Sequence, residues 1–498
     1  MSASREKRER KGQGSEAPIH QTPAAKQGMS RGLKTTLVVV CAVLVVAIVA
    51  FFTMISNGFF VTHSTAATVG NHNLSPAIVN YYYRSGVQQL SSYASYVGID
   101  TDQSLTTQIY DESTGETWAD LLIQQALNDA AATYAIYDEA IANGYTLSED
   151  ELSNIDATVE MYQSAAKATG YRNASAYIAA VFGTGCDEKS FREYMTVASV
   201  ADGYRQQMND SFTYTDDELT AEYEANPATY DTFNYRQFLI SDSLVNPDSE
   251  DLTDEELTER KEALASEMAS ATEGDEQAFI DAAYENAAES SKSSYEDETY
   301  TLRSNIGSGI VDELLSWLSD DARQTGDTTY IDYSGTYYVL FFLSRENNDF
   351  NLPNVREIPF AATDSSDEDS MNEAKTNAEA ALDEYEAGEQ GVDAFVSLVQ
   401  KYTSSETADG LTENVTPGSV SDAYQEWAFN TVRQAGDVAV VETSSGYSVL
   451  FFDGYGDTYR NVLVENALRS TAYNEWYSSV TDGAAYTENS YGMRFVSK

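Results

Sequence analysis

Long apolar stretches and regular apolar spacings divide the chain into segments. Residues 35–55 contain no charged side chain over 21 positions, and a helix of that length spans the roughly 30 Å hydrocarbon core of a bilayer. Across 118–143, apolar residues recur at spacings of three and four, which predicts an amphipathic helix. Capping-box patterns at 148–151 and 215–218 predict two further helix starts. Residues 56–230 are therefore predicted to form a mostly helical domain.

A different pattern follows, in which short apolar segments alternate with helical ones. Residues 235–240 read as a buried strand, and 330–342 as a strand, a turn and a second apolar strand. The same order begins again at 355–360 and ends with a strand, a turn and a strand at 438–452. Helical spacings lie between these strands, so the pattern predicts an α+β fold.

The two halves of this region resemble each other in sequence. When 312–344 is aligned with 422–454, 110 residues later, 12 of the 33 positions are identical. A match at a fixed shift indicates an internal repeat. We therefore predict two homologous α+β domains in tandem, at 231–346 and 350–456. The remaining segment, 457–498, is predicted to be a C-terminal helix and tail that docks on the helical domain.

Charge and rare residues exclude several functions. The formal net charge is −51, so nucleic acid is not a predicted partner, because phosphate attraction needs a basic surface. The three histidines, His20, His63 and His72, lie near the start of the chain, and the cysteines are Cys41 and Cys186. A disulfide framework and a Cys/His zinc site are thereby excluded from the body of the protein. With no DxDxDG calcium loop either, neither a metal nor another cofactor is predicted.

The charge distribution predicts a membrane orientation. Residues 1–34 hold eight basic and three acidic residues, and we predict a disordered tail in the cytoplasm, with 35–55 as a single-pass signal-anchor. Residues 56–498 would then lie outside, with 21 basic and 77 acidic residues. The alternative is a signal peptide that is cleaved near 64–67. The lone Cys186 is typical of a bacterial, Gram-positive-like exterior, where folding does not rely on cystines.

Several segments resemble one family of proteins. VREIPF at 355–360, FVSLVQKYT at 395–403 and the GDV…TSSGYS pattern at 436–448 are similar to the parvulin domain of peptidyl-prolyl isomerases. The opening VGNHNLSPAIVNYYY at 69–83 resembles the amino-terminal segment of PrsA-type and SurA-type exported foldases. The resemblance extends over about 60–478. It implies a helical chaperone domain followed by two parvulin-like domains, each an antiparallel sheet with helices packed against it.

The resemblance also implies a site. Parvulin domains hold a prolyl peptide in a shallow apolar groove above two facing histidines, with a Cys or Asp nearby. The reaction is rotation about an amide bond, against an uncatalysed barrier of about 18–20 kcal/mol. An apolar pocket that weakens the double-bond character of the amide favours that rotation.

This chain departs from the family at the histidine positions. Glu357 and Ser448 occupy them in the second repeat, and Gln237 and Tyr338 in the first; Ser405 stands at the Cys/Asp position. No catalytic residue is therefore assigned. Glu357 is either a buried carboxylate with a raised pKa or a replacement that meets solvent.

The chain matches the family at the positions of the apolar groove better than at the positions of the two histidines. In the second repeat Val420, Tyr424 and Phe429 match its apolar positions, and Thr443 and Ser445 match its polar rim. The alternative is that the three apolar residues, spaced by four and five, are simply the core stripe of one helix. The corresponding positions of the first repeat are Ile310, Leu314 and Ser319.

Three classes of function remain from the sequence. The first is an enzyme, a membrane-anchored prolyl isomerase of parvulin type. The second is an exported chaperone whose helical domain and degenerate parvulin-like domains hold unfolded chains. We favour a membrane-anchored foldase of the parvulin family that binds unfolded or nascent exported polypeptides, with isomerase activity weak or lost because both histidines are absent. The third class is a purely structural or interaction protein of the cell surface.

Overall fold

The described part of the chain mixes helices with antiparallel sheets. A computed structural model describes residues 31–498 except 57, 95, 101–102, 249 and 406. Residues 1–30 of the predicted tail at 1–34 lie outside the described residues. About 55% of the structure is helical, so the predicted α+β class is confirmed at this coarse level.

The helices begin and end as follows. They are α1 (Arg31–Ser56), α2 (Phe59–His63), α3 (Pro76–Ser91), α4 (Trp118–Ala142), α5 (Glu149–Thr169), α6 (Ala174–Phe182), α7 (Glu188–Ser211), α8 (Asp216–Ala225), α9 (Pro227–Tyr230), α10 (Asp242–Val245), α11 (Asp254–Thr272), α12 (Glu276–Asn286), α13 (Asp312–Leu318), α14 (Glu368–Ala387), α15 (Val392–Thr403), α16 (Asp422–Ala428) and α17 (Tyr459–Thr481). Short 3₁₀ turns cover Lys292–Glu296, Gly307–Gly309 and Gly492–Phe495.

The strands are short in the first part of the chain and long in the second. They are β1 (Ala67–Val69), β2 (His72–Leu74), β3 (Ile109–Asp111), β4 (Glu116–Thr117), β5 (Thr232–Ile240), β6 (Leu302–Ile306), β7 (Thr328–Tyr333), β8 (Thr336–Glu346), β9 (Asn351–Ala361), β10 (Leu411–Thr412), β11 (Val438–Thr443), β12 (Gly446–Thr458) and β13 (Tyr486–Glu488).

Local sequence signals explain where several helices begin. In α5 the Ser148 hydroxyl caps the backbone of Glu151, whose carboxylate returns to the Ser148 N–H. Thr215 and Glu218 form the same reciprocal cap at the start of α8. Both predicted capping boxes are confirmed. Each satisfies backbone donors that a helix start would otherwise leave unpaired.

The chain packs as two units. The terminal unit comprises residues 31–205 and 479–498, and the central unit comprises 206–478. The C-terminal segment thus divides between them, since most of α17 belongs to the central unit and β13 to the terminal unit.

The core of the terminal unit lies among α3, α4 and a three-stranded antiparallel sheet in the order β13-β1-β2. Val61 of α2 is buried in this core. Ala66 and Ala67, which lead into β1, are fully buried as well. The Phe60 ring stacks on the Phe495 ring at a centroid distance of 5.4 Å. Side chains between residues 60 and 67 are therefore part of the packed unit.

The central unit contains two four-stranded antiparallel sheets with the same connectivity. Their orders are β6-β5-β8-β7 and β10-β9-β12-β11. In the first sheet Gln237 lies opposite Leu340, and in the second Glu357 lies opposite Leu450. Position 237 therefore corresponds to 357, and 338 corresponds to 448.

Each of these sheets has apolar residues on both faces. In the second sheet, Ile358, Val449 and Phe451 pack under α14 and α15. Val355, Leu450, Phe452 and Val441 pack on the opposite face, under α16. Alternate residues of a strand point to opposite faces, so Glu357 and Ser448 lie on the face covered by α16, which we call the α16 face.

Candidate functional site

Glu357 and Ser448 meet on the α16 face of the second sheet. Their strands, β9 and β12, are neighbours, and the register places Glu357 opposite Leu450 and Ser448 opposite Pro359. They are diagonal neighbours, and the Ser448 hydroxyl donates to Glu357 Oε1 at 2.5 Å. Ser448 is 1% exposed and Glu357 is half-buried. Glu357 is thus hydrogen-bonded within the sheet, an arrangement that neither sequence alternative described.

The Gly410 backbone lies against β9 on the side away from β12. The Glu357 N–H donates to the Gly410 carbonyl at 3.0 Å. Gly410 has φ of +68°, and a Cβ there would lie 2.7 Å from the Glu357 carbonyl oxygen. A side chain at 410 would therefore be strained and would push the loop away from β9. The close approach fixes the backbone that carries Glu357.

The three apolar groove candidates lie together but not on one helix. Tyr424 is in α16, whereas Val420 precedes that helix and Phe429 follows it as the C-cap residue. All three pack into the cluster that covers the α16 face. The alternative that these residues belong to the core is supported in their packing, because Tyr424 is buried in that cluster and Val420 and Phe429 pack against it. They do not form a stripe along one helix, since only Tyr424 lies within the seven-residue α16.

Tyr424 is the most deeply placed of the three, at 4% exposed. Burial, and then the nearby Glu357 carboxylate, raises the pKa of the Tyr424 hydroxyl above its ordinary range. The tyrosine therefore remains neutral at physiological pH. The centre of the candidate site combines an apolar ring, a neutral phenol and a carboxylate that is bonded to a serine.

The polar rim residues lie at one end of the same sheet. Thr443 is the last residue of β11 and pairs with Gly446, while Ser445 is exposed in the turn between them. Ser405 lies in the loop after α15, and among the described residues no hydrogen bond joins it to Glu357 or Ser448. The structure therefore brings together Glu357, Ser448 and Tyr424, and leaves Ser405 apart from that cluster.

The first sheet is filled differently at the corresponding positions. Tyr338 packs with Ile310 and Leu314 in an apolar cluster over the equivalent face. Gln237 is half-buried, and its N–H donates to the Thr301 carbonyl at 2.8 Å. Ser319 contributes its carbonyl to Arg345 at 3.1 Å. The first repeat therefore has a tyrosine where the second has a buried serine.

Comparison with known proteins gives a result from solved structures alone. No family model and no curated protein sequence matches the chain. Similar structures include the peptidylprolyl isomerase PrsA from Bacillus cereus, at 11% identity and a TM-score of 0.18 over 76% of this chain and 90% of that chain. PrsA from Bacillus anthracis matches at 12% identity and 0.17, over 48% and 91%. PrsA from Bacillus subtilis matches at 14% and 0.16, over 66% and 100%.

TM-scores of this size carry no argument about function. The chemistry must therefore be argued from the residues. The site holds a hydrogen-bonded Glu–Ser pair beside a buried phenol. Among the described residues, no group of three or more His, Cys, Asp or Glu side chains is placed to hold a metal ion.

Two arginines that position the strands were missed in the sequence. Arg236 and Arg356 occupy equivalent places in β5 and β9 and are both buried. Arg236 donates to Glu276 and Thr301, and Arg356 pairs with Asp453 at 3.0 Å. The signal was present, since in YRQF and VREI the arginine stands with a second polar residue between apolar ones.

Replacing Ser448 with alanine is expected to lower the free energy of unfolding of the central unit by about 1–2 kcal/mol. The reason is that Glu357 would lose a charge-assisted hydrogen bond in a half-buried position. Urea titration followed by fluorescence measures the change. Ser445→Ala is the matched control, because Ser445 is exposed in the turn, and it should change stability by less than about 0.5 kcal/mol. Equal effects of the two substitutions would contradict the assigned bond.

Proposed function

We propose that this chain is a membrane-anchored, extracytoplasmic protein-folding factor of the parvulin family, that it binds unfolded exported polypeptides, and that its isomerase activity is weak or lost. The observation that carries the proposal is the pairing of Glu357 with Ser448 on a sheet whose strand order recurs in the tandem repeat. The fold elements of two such domains are kept, while the residues at the positions of the reacting pair are changed.

The altered pair argues against efficient isomerisation. A twisted prolyl amide is favoured by an apolar, desolvated pocket. Glu357 instead places a carboxylate on the α16 face, and a carboxylate is costly to desolvate. In the first repeat Tyr338 packs among the apolar residues of the equivalent face. Neither sheet therefore offers the arrangement that the family resemblance implies.

Features of the terminal unit favour polypeptide binding. A cavity of about 530 Å³ lies beside β1 and α4, with mostly apolar walls that include Val69, Ala131 and Tyr134. Its volume is within the range of about 300–1,000 Å³ that is common for ligand sites. Large apolar side chains are also exposed in the same unit, among them Tyr96 at 91% and Tyr110 at 48%. Amphipathic tyrosines suit contact with unfolded chains.

Helix α1 supports the membrane anchor. Val38–Ser56 is long and apolar enough to cross a membrane, with a mean hydropathy of 3.2. Such a helix near the N-terminus is an anchor or a signal sequence. We favour the anchor, because cleavage near 64–67 would cut between Val61 and Ala67, which are both buried in the terminal unit. The acid excess of the exported part would keep complexes with clients soluble.

The proposal predicts binding without catalysis. Full-length protein in detergent micelles is expected to suppress the aggregation of a denatured model protein at near-stoichiometric ratios, measured by light scattering. In a proline-peptide isomerisation assay it should give no acceleration above buffer, beside an active parvulin as the positive control. Circular dichroism establishes that the tested protein is folded.

Each other outcome points to a different function. Acceleration of isomerisation would contradict the assigned loss of catalysis and would make Glu357 and Ser448 working replacements for the histidines. Neither acceleration nor suppression would favour the structural or interaction protein of the cell surface.

A further inference from the structure

Strand β6 is an open edge of the first sheet. It pairs with β5 on one side in a continuous antiparallel register, from Thr232 opposite Ile306 to Arg236 opposite Leu302. In the second sheet the corresponding edge strand is β10, which is only two residues long. Short length is a common way of protecting a sheet edge, and β6 is longer, with five residues.

The register shows which backbone groups of β6 face outward. The Gln237 N–H donates to the Thr301 carbonyl, and the Gly307 N–H donates to the Asp231 carbonyl, at 2.8 and 2.9 Å. In an antiparallel pair, hydrogen-bonded positions alternate with positions whose backbone groups point away. Residues 303 and 305 therefore bond to β5, whereas Ser304 and Ile306 direct their N–H and C=O groups outward. Among the described residues, no group bonds to them there.

These outward groups border a cavity of about 620 Å³ within the central unit. Ser304 and Ile306 line it from the first repeat, and Gln425 lines it from the second repeat. Phe350 and Tyr459 contribute aromatic surface, with ring centroids 5.6 Å apart. Phe350 is 38% exposed. The cavity is therefore an open slot between the two repeats, with backbone hydrogen-bonding groups on one side and an exposed aromatic ring beside them.

We infer that β6 binds an extended segment of an unfolded polypeptide, which adds to the first sheet as a further strand. Unpaired N–H and C=O groups at the spacing of alternate strand residues are matched by the backbone of another strand. Phe350 offers a contact for an apolar side chain of that segment. The inference rests on the proposed function, since the segment belongs to an unfolded client, and it locates a binding site at the β6 edge, beside Gln425 of α16.

The charged residues around the cavity indicate which polypeptide segments should bind most tightly. Glu346 is the charged side chain in the cavity wall, and the neighbouring cavity adds Asp231, Arg345 and Asp349. Asp231 is paired with Arg345 and Asp349 with Arg460, so Glu346 supplies the negative charge at the cavity wall itself, of the same sign as the net charge of the chain. Segments that carry lysine or arginine beside apolar residues should bind more tightly than segments that carry glutamate.

Replacing Ser304 with proline tests the inference at one backbone group. Proline removes the outward N–H of residue 304 and obstructs an added strand, but it breaks no bond to β5, because proline is tolerated where the N–H of an edge strand faces solvent. Ser304→Ala is the matched control, since it keeps that N–H and removes the hydroxyl. Thermal unfolding of both variants should match that of the unmodified chain.

The measurement is fluorescence anisotropy with full-length protein in detergent. The probe is a labelled peptide of alternating valine and threonine with lysine at each end, about ten residues long. Ser304→Ala should bind it as the unmodified chain does, and Ser304→Pro should bind at least about tenfold more weakly. The same peptide methylated at alternate backbone nitrogens, and a version with glutamate ends, should also bind more weakly.

The possible results separate this inference from the proposed function. Equal binding by Ser304→Pro and the unmodified chain, or suppression of client aggregation without any peptide binding, would overturn the β6 site and leave the folding factor standing. If the unmodified chain neither binds the peptide nor suppresses aggregation, both the β6 site and the proposed folding factor are overturned. A dimer that Ser304→Pro dissociates, seen by analytical ultracentrifugation, would identify a second copy of the chain as the occupant and overturn the client assignment.

Discussion

Replacing Arg345 with methionine is expected to lower the free energy of unfolding of the central unit by about 3 kcal/mol. Arg345 Nε donates to Asp231 Oδ2 at 2.6 Å, and the Asp231 side chain is 4% exposed. The Tyr223 hydroxyl donates to the other carboxylate oxygen at 2.7 Å. Without the arginine, Asp231 would keep a buried negative charge that one hydroxyl cannot balance. Removing one partner of a buried pair costs far more than an exposed pair contributes.

The central unit offers a matched control for this substitution. Arg260 pairs with Glu250 at 3.0 Å, and both side chains are about half exposed. Arg260→Met should therefore cost less than about 1 kcal/mol. The double variant Arg345→Met, Asp231→Asn should be more stable than Arg345→Met alone, because it removes the unbalanced charge. Urea unfolding of the three variants measures the differences. A cost for Arg345→Met no larger than that for Arg260→Met would contradict the buried pair.

Elements governed by local signals were predicted well from the sequence. Helix α4 covers Trp118–Ala142, close to the predicted 118–143, because its apolar spacing and end signals are local. Strands β5 and β9 begin earlier than predicted, at Thr232 and Asn351. Their first residues gain strand pairing from β8 and β12 more than 100 positions later in the chain, which no local pattern records.

The edge strand β6 was missed for the same reason. Its sequence, LRSNI, has neither apolar alternation nor many β-branched residues. It becomes a strand by pairing with β5, whose residues lie 66 to 74 positions earlier in the chain, from Arg236 opposite Leu302 to Thr232 opposite Ile306. The open edge and its outward backbone groups are therefore properties of the folded unit.

The residues of the candidate site were named from the sequence, but their arrangement was not predicted. The family resemblance pointed to Glu357 and Ser448 as the residues at the histidine positions of the second repeat. The hydrogen bond between Glu357 and Ser448 depends on the register of strands separated by 91 positions. The spacing of Val420, Tyr424 and Phe429 fitted one helix, but α16 ends at Ala428, so Phe429 lies at its end.

Cys186 is expected to make the terminal unit less stable at alkaline pH. It is 2% exposed, and burial raises the pKa of its thiol to about 11. In the unfolded chain the pKa of the thiol is about 8.5–9. Above that pH the unfolded state loses a proton that the folded state keeps, so the free energy of unfolding falls as pH rises. The fall between pH 9 and 11 should be about 2 kcal/mol, at 1.36 kcal/mol per unit, because the folded thiol is itself half ionised at pH 11.

Cys186→Ser isolates this contribution from other alkaline effects. The thiol lies within sulfur hydrogen-bond distance of the Asn80 amide and the Ala77 carbonyl, and a serine hydroxyl can use both groups without ionising. The chain with Cys186 and the Cys186→Ser chain should both carry Cys41→Ala, so that the two differ only in the thiol of Cys186. The difference in unfolding free energy between the two should change by about 2 kcal/mol from pH 9 to 11. If the unfolding free energies of the two chains instead fall in parallel with pH, Cys186 ionises as readily in the folded state as in the unfolded state. That result would contradict the burial of its thiol.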